Sequence, residues 1–402
     1  MNWIDGGVTA PRGFRASGVS AGIKPRSTKR DCALVVSDAP ASVAGTFTTN
    51  IFKSPPVEWS ERVCRQHGHA QAVFINSGNA NACTGDPGRA DCRTTAEWIA
   101  AGLGIATENV CLASTGVIGV PLPMERIEAG VRGCVTALSE DGSHDAAQAI
   151  MTTDTVPKEA AIEVELGGLT VRLGAIAKGA GMIAPNMATM ICIITTDAAM
   201  APAPLADALK RAVTVSFNRI CVDNDMSTSD TVLCLANGRA GGAPVEGDAG
   251  ERRRFEKALT TLCQHMAQWL VRDGEGVTKF VTIHVEGAPS DEDAKTVARA
   301  VAASQLCKTA FFGQDPNWGR FACAAGYAGV AFEPEHFDLW LDDVQLVEAG
   351  QVAVYEESDA AACMQRPEFC LRLRIGDGPG RAVYWTSDLS HGYVSINADY
   401  RT

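Results

Sequence analysis

Several features that would assign a protein to a broad class are missing from this sequence. Its 402 residues contain no apolar run approaching the ~18–20 residues of a membrane-spanning helix, so a membrane protein is not expected. Positive charge is in deficit, because 35 Lys and Arg stand against 47 Asp and Glu, for a formal net charge of −12. Nucleic acids and anionic membranes are therefore not expected as partners.

The cysteines form neither a metal-binding nor a disulfide pattern. There are 14 of them, scattered singly and without a C-x-x-C pair, and no histidine lies near them at the spacing of a zinc site. They are expected to be reduced and mostly buried thiols, and no metal is predicted. The first residues, MNWIDGGVTAPRGF, lack the basic-then-apolar pattern of a secretory signal, so the predicted location is the cytoplasm.

What is present is the composition of a large globular protein. Hydrophobic residues make up 46% and charged residues 20% of the chain, and the length suggests roughly two to three domains. Short apolar runs predict buried strands at 32–38, 72–80 and 109–115. Apolar residues at helical spacing predict helices at 89–104, 123–139, 203–215 and 252–271.

The second half of the chain adds more strands. Two alternating runs within 161–177 are joined by Gly167-Gly168, which predicts a β-hairpin. After about residue 280 the pattern predicts a strand, a helix and then several strands to the end. The predicted class is therefore α/β, or α+β with large mixed sheets.

Short loops of small and polar residues follow several of the apolar elements. They are NSGNANACTG (76–85), STGVIG (114–119), MTTDT (151–155), KGAG (178–181), VDNDMSTSD (222–230) and DGEG (273–276). Glycine in such loops lets backbone N–H groups approach a ligand closely. Each loop alone could be a tight turn, but the whole set favours a binding site.

The spacing of these loops excludes several well-known sites. KGAGM lacks the G-x-x-x-x-G-K-[ST] order of a phosphate-binding loop. DNDMSTSD begins like a calcium loop with Asp223, Asp225 and Ser227, but Thr228 stands where glycine is needed and Cys234 where glutamate is needed. The histidines fit no Ser-His-Asp order.

The segment KGAGMIAPNMATM (178–190) suggests a nucleophile at Thr189. A threonine hydroxyl needs a neighbouring base, and cutting the chain before Thr189 would supply its own α-amine, with a pKa near ~8. The small residues up to Ala188 would let the hydroxyl attack the preceding carbonyl, and the apolar strand from Met190 would hold the new terminus. The alternative is an ordinary threonine at the start of a strand, where β-branched residues are favoured.

The sequence resembles the ornithine acetyltransferase family, also called glutamate N-acetyltransferase, over nearly its whole length. The motifs that carry the resemblance are, in order, GFRASGVSAGIK, AGTFTTN, NSGNANACTG, ASTGVIG, IMTTDT, KGAGMIAPNMATM, FNRICVDNDMSTSDT, DGEG, KTAFFGQDPNWGR and NADYRT. One departure is conservative: Ile191 follows A-T-M where the family usually has leucine.

This resemblance implies an activity and a processing step. The chain would cut itself between Ala188 and Thr189 into α and β chains that stay together, two of each. Thr189 would take the acetyl group from N2-acetyl-L-ornithine and give it to L-glutamate in a ping-pong reaction. No cofactor is implied, and some members also accept acetyl-CoA as a co-substrate.

The resemblance also implies site residues. Thr115 and Gly116 would stabilise the oxyanion, and the substrate-binding residues would be Thr152, Lys178, Thr189, Glu275, Asn397 and Thr402. Chemically, Lys178 could pair with a substrate carboxylate and Glu275 with the ornithine side-chain ammonium. These two residues could instead form a structural ion pair, and a terminal Thr402 is often disordered.

The implied fold is a layered α-β-β-α sandwich with a smaller C-terminal α/β domain. Residues 1–188 would form the α chain and the first part of the sandwich, residues 189–280 would complete it, and residues 281–402 would form a domain whose tail reaches the active site. Two alternatives remain open. One is an N-terminal-nucleophile amidase or aminopeptidase of the same architecture, and the other is an unprocessed small-molecule-binding protein.

Overall fold

The computed structural model describes residues 1–24, 27–184 and 190–399 of the chain. Within these residues the backbone forms two β-sheets and surrounding helices. The strands are β1 Asn2–Ile4, β2 Phe14–Val19, β3 Cys32–Phe47, β4 His69–Asn79, β5 Val110–Val117, β6 Lys158–Leu166, β7 Leu169–Lys178, β8 Ile191–Thr196, β9 Ile220–Cys221, β10 Thr231–Ala236, β11 Phe280–Ala288, β12 Asp338–Leu341, β13 Val344–Glu348, β14 Gln351–Val352, β15 Glu368–Arg374 and β16 Gly380–Ser387.

The α-helices lie mainly between these strands. They are α1 Pro55–Arg62, α2 Gly85–Leu103, α3 Met124–Thr136, α4 Ser143–Ile150, α5 Pro202–Thr214, α6 Ala249–Arg272, α7 Asp291–Ala303, α8 Gln305–Gly313, α9 Trp318–Gly326, α10 Glu357–Gln365 and α11 His391–Asp399. No helix in the described part of the chain combines the length and the apolar character that crossing a membrane requires.

The predicted hairpin is confirmed, with β6 and β7 paired antiparallel from Lys158↔Ala177 to Leu166↔Leu169. Gly167 and Gly168 form the two-residue turn, with φ of 57° and 75°. A tight turn of this kind needs positive φ at both central residues, which glycine adopts without strain.

The larger sheet folds over on itself through the long strand β3. Its order is β1-β6-β7-β8-β10-β3-β4-β5, and β2 also pairs with β3. The first half of β3 pairs with β2 and β4, whereas the second half pairs with β10. The register with β4 shifts between Val36 and Ala41, and Pro40 lies inside this irregular stretch. The irregularity separates the sheet into two layers.

Side chains alternate between the two faces of these layers, as the pleat of a strand requires. Ala33 and Val35 of β3 share an inner core with Ile193 of β8 and Leu233 of β10. On one outer face, Leu34 and its neighbours pack against α2 and α3. On the other outer face, β8 and β10 pack against α5 and α6. The predicted α-β-β-α sandwich is therefore confirmed.

The smaller sheet has the order β14-β13-β12-β15-β11-β16-β9. Its core includes apolar side chains of β11, β12, β15 and helices α7, α8 and α9. Strand β9 comes from earlier in the chain and pairs in parallel with β16. This sheet and its helices form the C-terminal α/β unit; the predicted boundaries at residues 188 and 280 stay predictions.

Three details of the sequence prediction were wrong. One helix was predicted after residue 280, whereas α7, α8 and α9 follow β11, and α10 lies between β14 and β15. The strand predicted at 32–38 extends to Phe47, because Pro40 falls at the register shift rather than ending the strand. The last segment, predicted to be strand to the end, forms helix α11 after Ser387. Ser390 accepts a hydrogen bond from the Tyr393 N–H at 3.3 Å, which is the contact of a helix N-cap.

Candidate active site

A pocket lies where loops of both halves of the chain meet. Its lining residues are Ala80, Thr115, Gly116, Ile118, Thr152, Thr153, Lys178, Gly181, Met182, Ser227, Thr228, Ser229, Glu275 and Asn397.

The sequence-predicted site residues meet in this one pocket wherever the structure describes them. Those six residues are Thr115, Gly116, Thr152, Lys178, Glu275 and Asn397. The other three, Ala188, Thr189 and Thr402, lie outside the described residues. The ends of β5 and β7 and the loops after α4 and α6 thus line a single pocket.

Thr115 and Gly116 lie near the end of strand β5 beside β4, with Gly116 opposite Gly78. Gly116 has φ +128°, and a Cβ built there would lie 2.4 Å from the carbonyl carbon of Gly78. Only glycine fits this approach of two backbones. This close contact between the backbones of β4 and β5 also fixes the position of Thr115, the preceding residue, at the pocket.

Replacing Gly116 by alanine is expected to lower the free energy of unfolding by more than ~2 kcal/mol, through steric overlap and positive-φ strain together. Gly119 is the matched control, since it also has positive φ, at +79°, but a Cβ there meets nothing within 4 Å. Its alanine variant is expected to lose only about 1 kcal/mol. Denaturant unfolding of both variants measures the difference, and equal losses would contradict the close-approach argument.

Lys178 is buried at the end of β7 and donates from Nζ to the Thr115 hydroxyl oxygen at 3.3 Å. Burial lowers the pKa of this lysine, and Asp154 is the largest opposing influence. In the described residues Lys178 makes no direct ion pair with Glu275, so the structure gives no support to the structural-pair alternative. The ammonium is instead directed at Thr115.

Glu275 and Asn397 bring two distant parts of the chain into contact. Asn397 of α11 donates from Nδ2 to Glu275 Oε2 at 2.7 Å. The Glu275 backbone N–H donates to the Ala180 carbonyl at 2.9 Å, which ties its loop to the segment after Lys178. Helix α11 therefore contributes directly to the pocket.

The segment VDNDMSTSD (222–230), which begins like a calcium loop, supports the pocket instead. The carboxylate of Asp223 accepts from the backbone N–H groups of Met182 and Ile183 at 2.7 and 2.8 Å. It also accepts from the Tyr393 hydroxyl at 3.1 Å. Because Met182 lines the pocket, these bonds make Asp223 a support of the pocket wall. No metal-binding cluster occurs among the residues that the structure describes.

Asp230 was missed by the sequence reasoning, although it ends the motif VDNDMSTSD. It is 1% exposed, and its Oδ1 accepts from the Met190 N–H at 3.2 Å. No donor within the described ranges reaches its other oxygen, Oδ2. Burial raises the pKa of this carboxyl well above its ordinary value. Asp230 therefore contacts Met190, the residue that follows Thr189 in the chain.

A second missed group is the buried set Asp154, Lys158 and Asp273. The Lys158 ammonium lies 2.7 Å from Asp154 Oδ1 and 2.5 Å from Asp273 Oδ2. Burial alone would raise the pKa of Asp154, but the charges of Lys158 and Lys178 and the Gly179 N–H hold it at about 2. The carboxylate is therefore ionised next to the pocket.

Comparison with known proteins gives consistent matches. Residues 15–402 match the model of the ArgJ family. An arginine biosynthesis bifunctional protein of Symbiobacterium thermophilum is 49% identical over 403 residues, 100% of both chains. The crystal structure of a protein of the same name from Bacillus halodurans is 35% identical, with a TM-score of 0.51, and covers 52% of this chain and 98% of its own. An ornithine acetyltransferase of Mycobacterium tuberculosis, crystallised with ornithine, is 45% identical over 46% of this chain and 97% of its own, with a TM-score of 0.42.

Proposed function

This chain belongs to the ArgJ family and is an acyltransferase of arginine biosynthesis, and on that premise we propose that it transfers the acetyl group of N2-acetyl-L-ornithine to L-glutamate. The observation that carries the proposal is the convergence of Thr115, Gly116, Lys178 and Glu275 on one pocket. An oxyanion site, a cation and a carboxylate are what acyl transfer between two amino acids requires.

The nucleophile in this proposal is Thr189, freed by cleavage of the Ala188–Thr189 bond. Its hydroxyl attacks the acetyl carbonyl, ornithine leaves, and the acetyl-Thr189 intermediate then passes its acetyl group to the amine of glutamate. The lengths of known chains support the cleavage. The curated relative spans this whole chain, but the solved Bacillus chain, almost entirely aligned, covers only 52% of it.

The two pieces would remain associated because their strands alternate within one sheet. Strand β8, after the cut, pairs with β7 before it over six residue pairs, Leu173↔Thr196 to Lys178↔Ile191. Strand β10, after the cut, likewise pairs with β3. Separating the pieces would break both ladders and open the sandwich core. We further propose that two copies of each piece assemble, as the family resemblance implies.

The oxyanion role of Thr115 follows from its hydrogen bonds. Its hydroxyl oxygen accepts from the Lys178 ammonium, which leaves the hydroxyl proton free to donate to the oxyanion. The Gly116 N–H is the second donor. The nearby positive charge polarises the hydroxyl and makes it a better donor as negative charge develops.

The charges around the pocket suit substrates that carry both signs. Lys178 can attract the carboxylate that ornithine and glutamate share. Glu275, held by Asn397 at 2.7 Å, can pair with the side-chain ammonium of ornithine. Thr152 and Thr402 complete the proposed substrate contacts. We propose that the reaction needs no cofactor and that acetyl-CoA serves as a second acetyl donor, as a co-substrate.

The Thr115→Ala variant is expected to lose about 10²–10³-fold in kcat with little change in KM, because the donor acts mainly in the transition state. Thr115→Ser retains the hydroxyl and is expected to keep most of the activity. Steady-state kinetics of both variants with N2-acetyl-L-ornithine and L-glutamate measure the effect. An unchanged kcat in Thr115→Ala would remove Thr115 from the mechanism.

The proposed function is tested by following both products. Incubation with N2-acetyl-L-ornithine and L-glutamate should yield N-acetylglutamate and ornithine in equal amounts. Free acetate formed at the same rate without glutamate would favour an amidase or aminopeptidase. No turnover and an uncut chain would favour a binding protein. A parallel reaction with acetyl-CoA and L-glutamate tests the second donor.

A further inference from the structure

The carboxylate of Asp154 is the centre of a buried polar network behind the pocket. Its Oδ1 accepts from the Gly179 N–H and from Lys158 Nζ, both at 2.7 Å. Its Oδ2 accepts from the Thr152 N–H at 3.0 Å. The side chains of Asp154 and Lys158 are both 0% exposed. The bonds from Lys158 and Gly179 are therefore shielded from water.

This network joins three segments that line the pocket. One hydrogen bond fixes the backbone at Thr152, and another fixes it at Gly179, directly after Lys178. The third connection runs through Lys158 to Asp273 at 2.5 Å, two residues before Glu275. Thr155 also donates to the Asp273 carboxylate, from its N–H at 3.1 Å and from its hydroxyl.

We propose that Asp154 is a positioning residue, which holds the Lys178 ammonium, Thr152 and the Glu275 loop in one arrangement for acetyl transfer. This inference rests on the proposed function, since it assigns the network to the same pocket. Asp154 does not line the pocket, so it acts through the residues that do.

Stability alone is a weak explanation for such a network. Taking two carboxylates and an ammonium out of water is costly, and well-packed apolar residues often stabilise a core as well or better. What the ionic arrangement adds is fixed geometry and a negative charge beside Lys178. The network also spans the proposed cut, because Asp154 and Lys158 precede it and Asp273 follows it.

The charge of Asp154 matters for Lys178 because that lysine is buried. Burial favours its neutral form, and Asp154 is the largest of the influences that keep it protonated. The charged groups that face it are Asp154, Asp230, Glu275, Lys158 and Lys24. Removing the Asp154 charge should therefore move the titration of Lys178 to lower pH.

Asp154→Asn is the test variant, since asparagine keeps the shape and one acceptor oxygen but loses the charge. Asp273→Asn is the matched control, because it removes the other carboxylate bound to Lys158 without touching Gly179. Both proteins are labelled with 13C-lysine, and the Lys178 signal is identified by its absence from Lys178→Arg. The 13Cε shift is followed against pH, alongside the pH profile of kcat/KM.

Asp154→Asn is expected to titrate Lys178 at lower pH, to shift the basic limb of kcat/KM in the same direction, and to lose roughly 10²-fold in kcat/KM. In Asp273→Asn the Lys178 titration is expected to stay in place. An unmoved titration in Asp154→Asn, or equal shifts in both variants, would overturn the proposal and leave the network a structural one.

If Asp154→Asn does not fold, the double variant Asp154→Asn/Lys158→Gln decides the matter. It leaves no unmatched ammonium, and Asp273 keeps its Thr155 donors. The Lys178 titration should still move down, by less, because Asp154 influences Lys178 more strongly than Lys158 does; an unmoved titration overturns the proposal. If the wild-type protein did not transfer acetyl groups, the proposed function would be refuted. The 13C titration of Lys178 would still test whether Asp154 controls the charge of that lysine.

Discussion

The Thr189→Ala variant is expected to remain one uncut chain of 402 residues and to lose acetyl transfer to below detection. The wild-type protein should instead separate, under denaturing conditions, into residues 1–188 and 189–402. The reason is chemical: alanine has no hydroxyl to attack the carbonyl of residue 188, and none to carry an acetyl group. Intact-protein mass spectrometry measures the first effect and the transfer assay the second.

Thr189→Ser is the control, because it retains both the hydroxyl and, after cleavage, the α-amine. It is expected to cut itself and to transfer acetyl groups, more weakly than the wild type. Thr189→Ala should still fold, since the pairing of β7 with β8 does not depend on the cut. A Thr189→Ala protein cut at the same bond would mean that an external protease does the work.

The pocket was predictable from sequence because its residues share a local signature. Thr115 and Lys178 lie near the ends of strands β5 and β7, and Glu275 lies in the loop after α6. Each stands in a short glycine-containing segment where an element gives way to a loop, and functional residues are common in such segments. Composition therefore indicated the segments, and the family resemblance indicated the residues within them. Only the structure shows that these residues line one pocket.

The buried network was not predictable by the same route. MTTDT contains Asp154, yet nothing in that motif marks its carboxylate as buried or as bonded to Gly179. Its connection through Lys158 to Asp273 joins residues 115 positions apart. Local patterns record periodicity and turns; they do not record which charges meet across a core.

The predictions for strand β3 and helix α11 were wrong because tertiary structure overrode the local sequence signals. Pro40 indicates the end of a central strand because it cannot donate to a ladder, but here it lies at the register shift where the sheet turns into its second layer. Tyr393, Val394 and Ile396 favour strand by propensity. The Ser390 cap outweighs them in this setting.

The largest effect after loss of Thr189 is expected from blocking its α-amine. In the processed protein, acylation of that amine should abolish transfer while leaving the two pieces associated, because the sheet ladders that join them are untouched. The amine is the proposed base that takes the hydroxyl proton, and an amide nitrogen cannot accept it. A reagent used near pH 6–7 favours α-amines, whose pKa is about 8, over ordinary lysines.

The proposed role of the Thr189 α-amine as the base also predicts how the rate of acetyl transfer depends on pH. Activity should fall at low pH as the amine becomes protonated, with a midpoint below the free value of ~8, because the proposed site also holds the Lys178 ammonium, which disfavours a second positive charge. Asp230 accepts a hydrogen bond from the Met190 N–H, and burial raises the pKa of its carboxyl. Burial thus disfavours the negative charge on Asp230 that would hold the amine protonated. No histidine is among the described pocket-lining residues, so replacing histidines should leave this limb unchanged.

Peptide mass spectrometry of the acylated protein provides the control, because it must locate the label at Thr189 and leave Lys178 unmodified. Size-exclusion chromatography then checks that the pieces still travel together. Under these conditions transfer should be lost in proportion to the fraction of Thr189 that carries the label. If fully blocked protein still transferred acetyl groups at the normal rate, another group would be the base. The Thr189 hydroxyl would then need a different activator. The first group to replace would be the Asp230 carboxyl, which accepts a hydrogen bond from the N–H of Met190, the next residue in the chain.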